Sequence, residues 1–309
     1  MQRGGIAWRL SPQLYAWRMR QAKSPHDSIV PQFIADGLED AANAGYDGVE
    51  LGLSAFASAE VAEAVSNALK QHKLGIAALF YDVSTGADDE SLRKIGSAAT
   101  QAAKFGARLL NIITVADPAT QAPHKKWRDD GSLDSVLRVM SVLAEEAERG
   151  GMNVCWHPHA ENLSEDCTGL RRFLQQSAQT RVGVCLDLGW VLRAGSDPLR
   201  ALRLCGDRLS LIHLRDFNQG VWCQALGEGL LDLEAIGQYL VEYEREVWTS
   251  VEFFIDRSSR VTRSLADNAR ASASELRSFR PWKLGRRDAE RLATHAEREA
   301  ARQAGHEEL

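Results

Sequence analysis

Short apolar runs rich in β-forming residues recur along the chain. They begin near Gln13 (QLYAWRM), Asp47 (DGVELG), Gly75 (GIAALFYDV), Arg108 (RLLNIITV), Asn153 (NVCWHPH), Val182 (VGVCLDLG), Leu209 (LSLIHLRD) and Trp248 (WTSVEFF). Each is short enough for a strand, and segments of helical composition lie between them. In PQFIADGLEDAANAG one apolar stripe takes Phe33, Ile34, Leu38, Ala41 and Ala42. In SLDSVLRVMSVLAEEAERGG the stripe takes Leu133, Val136, Leu137, Met140, Leu143 and Ala144. Ser132 is placed to cap that helix and Gly150-Gly151 to stop it. Eight strands alternating with helices at roughly 30-residue intervals predict an α/β fold of the (β/α)8 TIM barrel type. An open doubly wound sheet is the alternative.

The barrel is expected over residues 1–280 as a single domain. The longest step, between the fourth and fifth runs, marks an insertion at Ala116–Gly131 (ADPATQAPHKKWRDDG). In a barrel it lies over the active-site face, as a lid or as a plain surface loop. Residues 281–309 are rich in Arg, Glu and Ala. They predict a charged C-terminal helical tail with pairs such as Arg286–Glu290, or a frayed end.

The polar residues that interrupt the runs fall at the strands' C-terminal ends. They are Glu50, His157 and His159, Asp187, His213 with Arg215 and Asp216, and Glu252. In a parallel barrel these ends converge on one mouth. His157 and His159 share a face, as do His213 and Arg215, because side chains alternate along a strand. Ionisable groups enter such a mouth only with compensation. Carboxylates and imidazoles brought together there predict a divalent-cation site.

Composition narrows the classes. The 309 residues carry 37 Lys and Arg against 42 Asp and Glu, a net charge of −5. That disfavours a nucleic-acid-binding surface, which needs a basic face. Hydrophobic residues at 44% and charged residues at 26% are globular values, not those of a disordered chain. No apolar run is long enough to span a membrane, and the N-terminus has no signal-peptide core. The five cysteines are scattered, odd in number and without a CxxC pair. They read as reduced thiols of a cytoplasmic protein, with Cys155, Cys185 and Cys205 as small core hydrophobes.

Five segments carry a family resemblance: AGYDGVELG, NVCWHPHAEN, VCLDLGWVLRAGSDP, LIHLRDFNQGVWCQALGEGLLDL and WTSVEF. In order and spacing the chain resembles the xylose isomerase-like TIM-barrel superfamily of sugar isomerases, epimerases and inosose dehydratases, over roughly residues 13–280. The resemblance implies one divalent metal held at four strand ends by Glu, Asp, His and Glu. Asp187, His213 and Glu252 match three of these positions, and His157 stands where the family has its fifth-strand Glu. Imidazole for carboxylate makes the donor set softer, so Mn²⁺, Co²⁺, Zn²⁺ or Fe²⁺ is expected ahead of Mg²⁺. Trp190 stands where several epimerases have a histidine, and Gln219 where some have an arginine.

The resemblance further implies a small carbohydrate or polyol substrate, a homo-oligomer, and no nucleic acid or membrane partner. Its chemistry is enediolate formation beside a carbonyl, with metal-dependent isomerisation or epimerisation as one outcome. The other is lyase chemistry: inosose dehydration or β-elimination of a keto-glycoside. Glu252 is expected as base, with His159 or His157 as acid. Glu50, Trp190, Arg215 and Trp222 are expected substrate contacts. Their plainer readings are a Glu50–Arg215 ion pair and packing of the two indoles. The Gly227-Glu228-Gly229 turn, with its acid, does not support a phosphorylated substrate. An inert barrel serving as accessory subunit, a nuclease barrel and a two-histidine iron site are the remaining readings.

Overall fold

The computed structural model describes residues 8–21, 30–115, 130–243, 247–253 and 261–279. Most of the expected insertion and the whole 281–309 tail lie outside these residues. Eight parallel strands form the barrel: β1 (Trp8–Pro12), β2 (Gly48–Gly52), β3 (Gly75–Ser84), β4 (Leu109–Val115), β5 (Asn153–His157), β6 (Gly183–Asp187), β7 (Leu209–Leu214) and β10 (Val247–Val251). A two-residue ribbon, β8 (Phe217–Asn218) with β9 (Val221–Trp222), stands in the loop after β7. The barrel strands follow the order β1-β10-β7-β6-β5-β4-β3-β2. The ends of that order meet through Leu14 N donating to Glu50 O (3.0 Å), Asp47 N to Leu10 O (2.8 Å) and a bridge between Gln13 and Glu50. The barrel reading holds over the open sheet.

Seven of the eight strands lie where the apolar runs place them. The first does not: β1 is Trp8–Pro12, and Tyr15–Gln21 is a helix. The reason is chemical. Ser11 of β1 points into the barrel and hydrogen-bonds Ser250 of β10 at 2.7 Å, so the inward face of the strand shows no apolar stripe. Leu14 and Trp17, three apart, are buried at the helix that follows. The helix expected to begin after Ser132 begins at Asp130, which puts Ser132 inside its first turn rather than at its cap.

Helices seal the outside of the barrel, and one continuous core lies between the two layers. Inside the ring, Ala78, Leu109, Cys155, Cys185 and Leu211 form a second, smaller apolar cluster against Trp248. That plug closes the barrel below and leaves its other end to polar side chains.

Candidate metal centre and active site

The expected ligands meet. His157 ends β5, Asp187 ends β6, His213 is the fifth residue of β7, and Glu252 directly follows β10. Register pairs Asp187 with His213 directly. One donor atom from each of the four lies within 4.8 Å of the other three.

Asp187 is set by the chain around it. It caps the short helix Leu188–Arg193, and its Oδ1 accepts from Gly189 N (2.8 Å) and Trp190 N (3.1 Å). A Cβ on Gly189 would lie 2.2 Å from the Arg215 carbonyl oxygen, so only glycine lets the helix after β6 pack this close to the end of β7. The other carboxylate oxygen, Oδ2, faces the site, 3.8 Å from His157 Nε2.

His213 carries carboxylates on both ring nitrogens. Nε2 lies 2.7 Å from Glu50 Oε2 and Nδ1 lies 3.2 Å from Glu252 Oε2. Burial alone would lower its proton affinity. Contact with Cys185 and with the Glu50 and Glu252 carboxylates outweighs burial and holds it well above the usual histidine range. Glu50 in turn accepts from Asn111 Nδ2 at 2.9 Å. Burial opposes its ionisation, but His213 and Asn111 hold its carboxyl below the ordinary range. Glu252 is similar: Arg215, 3.2 Å away, and His213 overcome burial and hold it well below that range.

The residues present fit a divalent cation. His157 is 2% exposed, and neither ring nitrogen has a hydrogen-bond partner. Asp187 Oδ2 is also buried without one. Each such orphaned atom costs about 1–3 kcal/mol, and a cation among the four ligands would satisfy Asp187 Oδ2 and one ring nitrogen of His157. Two imidazoles and two carboxylates suit a borderline ion.

The expected substrate contacts divide. Glu50 lies beneath the mouth with no exposed surface and contacts His213 Nε2. Arg215, 2% exposed, pairs with Glu252 and lies 3.5 Å above the Trp222 ring centre. The anticipated pairing of Arg215 with Glu50 gives way to that arrangement. Trp222 is 2% exposed and packs against Trp190 and Phe217, so it is a wall element behind the site. Trp190 stays half-buried and stacks on His159, with ring centres 4.5 Å apart. His159 is 28% exposed at the mouth. Burial and the neighbouring His157 push it down to about 3, so it is neutral. Tyr81 and Asp82 are exposed on β3, and partial desolvation by the surrounding mouth raises the Asp82 carboxyl.

Asp216 works elsewhere. Its carboxylate accepts from the backbone N–H groups of Phe217, Gly227, Gly229 and Leu231. Glu228 accepts from Gln224 N and Ala225 N, so the glycine-flanked segment is a built turn. Two residues of the site, Asn111 and Cys185, were not among those expected from the sequence. Asn111 was legible as an amide within the otherwise apolar start of LLNIITV. Cys185 resembled any other small core residue.

A family model described as xylose isomerase-like TIM barrel matches residues 38–281. The inosose dehydratase of Geobacillus kaustophilus (strain HTA426) is 23% identical over 141 residues, 40% of this chain and 46% of that protein. The chain thus spans under half the length of this relative. L-ribulose 3-epimerase has a similar structure, with a TM-score of 0.69, 16% identity, and coverage of 94% of this chain and 98% of that one. So does the probable 3-DHS dehydratase AsbF from Bacillus anthracis, at 0.64, 17%, 87% and 99%. Epimerases and dehydratases therefore share this architecture, and the structural likeness concerns the fold. With most of its length inside the matched region, the chain belongs to the xylose isomerase-like TIM barrel family.

Proposed function

We propose that the protein is a metal-dependent enzyme that removes the proton beside the carbonyl of a keto-sugar or polyol-derived ketone. The observation that carries this reading is the convergence of His157, Asp187, His213 and Glu252 within 4.8 Å. A divalent cation bound there would act as a Lewis acid on the substrate's carbonyl and adjacent hydroxyl oxygens.

Among the outcomes open to such a site, elimination of water fits these residues best. Glu252 is ionised, but Arg215 and His213 hold it, which makes it a weak base. His159, 28% exposed at the mouth, has the access. In this reading it accepts the α-proton and returns it to the departing hydroxyl, which leaves as water. His157, open to two roles in the sequence, is buried and better suited to ligation. Trp190 fixes the plane of the His159 ring. The similarity to inosose dehydratases favours the same outcome.

Isomerisation or epimerisation is the alternative, favoured by the shared fold with L-ribulose 3-epimerase. The test has two parts. Elemental analysis should find about one divalent metal per chain, lost in His213→Ala and in Asp187→Ala. Inososes and keto-sugars incubated with the loaded enzyme in deuterated water should then lose water to an unsaturated ketone. Deuterium in a recovered isomer without water loss would make isomerisation the function. A wild type that neither binds metal nor gains thermal stability with Mn²⁺, Co²⁺ or Zn²⁺ would overturn both and leave the inert barrel.

A further inference from the structure

Beneath the mouth ligands the barrel interior holds a thiol. Cys185 stands two residues before Asp187 on β6, so both side chains point inward, one layer apart. It is fully buried beside His213. Donor atoms of His157, Cys185 and His213 all lie within 4.8 Å of one another. Around the sulfur lie Ala78, Leu109, Cys155 and Leu211, an apolar floor, with the Glu50 carboxylate on the far side of His213.

The second observation is His157 itself. Both its ring nitrogens are buried and unpartnered, although the ring lies between carboxylates above and the thiol below. A donor set of two imidazoles and one thiolate prefers thiophilic cations, whereas the carboxylate-bearing set above accepts harder ones.

The geometry points to a second cation position, one layer deeper, in which His157, Cys185 and His213 hold a thiophilic divalent cation such as Zn²⁺, Co²⁺ or Cd²⁺. Binding replaces the sulfur–hydrogen bond by a sulfur–metal bond and releases the proton to solvent, with no change of oxidation state. The two positions share both histidines, so one ion excludes the other. Mn²⁺ and Mg²⁺ are confined to the upper position, and thiophilic ions compete from below. The inference stands apart from the reaction proposed above and shares only the two histidines with it.

The test uses the full chain, stripped of metal with a chelator and titrated with Co²⁺ and, separately, Cd²⁺. Thiolate ligation gives a near-ultraviolet charge-transfer band that nitrogen and oxygen ligands do not. The wild type should show it, Cys185→Ser should abolish it, and Cys155→Ser and Glu252→Gln should keep it. Mn²⁺ added beforehand should slow its appearance. Co²⁺ bound with only ligand-field bands would overturn the deeper position and leave the upper site intact. A band lost in Cys155→Ser but kept in Cys185→Ser would overturn the assignment. Failure to bind either ion would overturn this inference and the metal premise of the proposed function together. Should Cys185→Ser not fold, cadmium-113 NMR of the wild type decides, since a sulfur-ligated ion and one held by nitrogen and oxygen resonate in separate ranges.

Discussion

Glu50 and His213, 163 residues apart in the chain, share a 2.7 Å hydrogen bond inside the barrel, and neither side chain has any exposed surface. The carboxylate holds the Nε2 end of the ring, which directs Nδ1 toward Glu252 and the proposed cation site. Outer partners of this kind are worth about 10–100-fold in metal affinity. Glu50→Gln should therefore fold and bind metal about 10–100-fold more weakly by calorimetric titration. Glu50→Ala strands His213 and Asn111 and should lower unfolding stability in urea by about 3–5 kcal/mol. Unchanged affinity in Glu50→Gln would remove the positioning role.

The same carboxylate makes stability depend on pH. Glu50 and Glu252 are both held below their ordinary value of 4.5 in the folded protein. The unfolded chain thus takes up their protons first as pH falls, and folding loses free energy. Their contribution is fully present above 4.5 and declines as the pH drops through the folded values. Denaturant melts of the metal-stripped protein should show a steep loss of stability on the acid side. Glu50→Gln should flatten that slope. An identical slope in wild type and variant would mean that Glu50 ionises alike in both states.

Asp216 organises the loop after β7 by accepting four backbone N–H groups. Gly227 also has a positive φ of 86°, and a Cβ on Gly229 would sit 2.1 Å from Asp216 Oδ1. The turn is thus built around that carboxylate. Asp216→Ala leaves several donors without an acceptor and should cost about 2–4 kcal/mol. Limited proteolysis should then cut within 217–231, a segment that should resist in the wild type. Equal resistance in both would show that the loop holds without the carboxylate.

The thiols should be quiet in the folded protein. All five cysteines are free, and four of them are buried. Burial pushes Cys185 up to about 12, and Cys223, the half-exposed one, to about 11. Thiolate is the reactive form, so a chromogenic disulfide at neutral pH should titrate Cys223 first and slowly. The other four should react only on unfolding. Rapid labelling of Cys185 in the native state would contradict the closed floor beneath the metal centre.

The sequence alone determined the barrel and the polar ring at its mouth. Seven of eight strands announce themselves as apolar runs, and His157, Asp187, His213 and Glu252 are polar endings to those runs. Strand alternation and parallel order then suffice to bring them to one mouth. The exception is β1, which turns Ser11 inward to Ser250, so its inward face carried no apolar signal. Tertiary structure decided which polar groups serve one another. Periodicity gives each side chain a face and a height. The partner across the ring depends on how the strands stagger when the barrel closes. That closure puts Glu50 on His213, turns Arg215 to Glu252 and buries Trp222 behind Arg215. It also sets Cys185, a residue that reads as core filling, within 4.8 Å of donor nitrogens of both histidines.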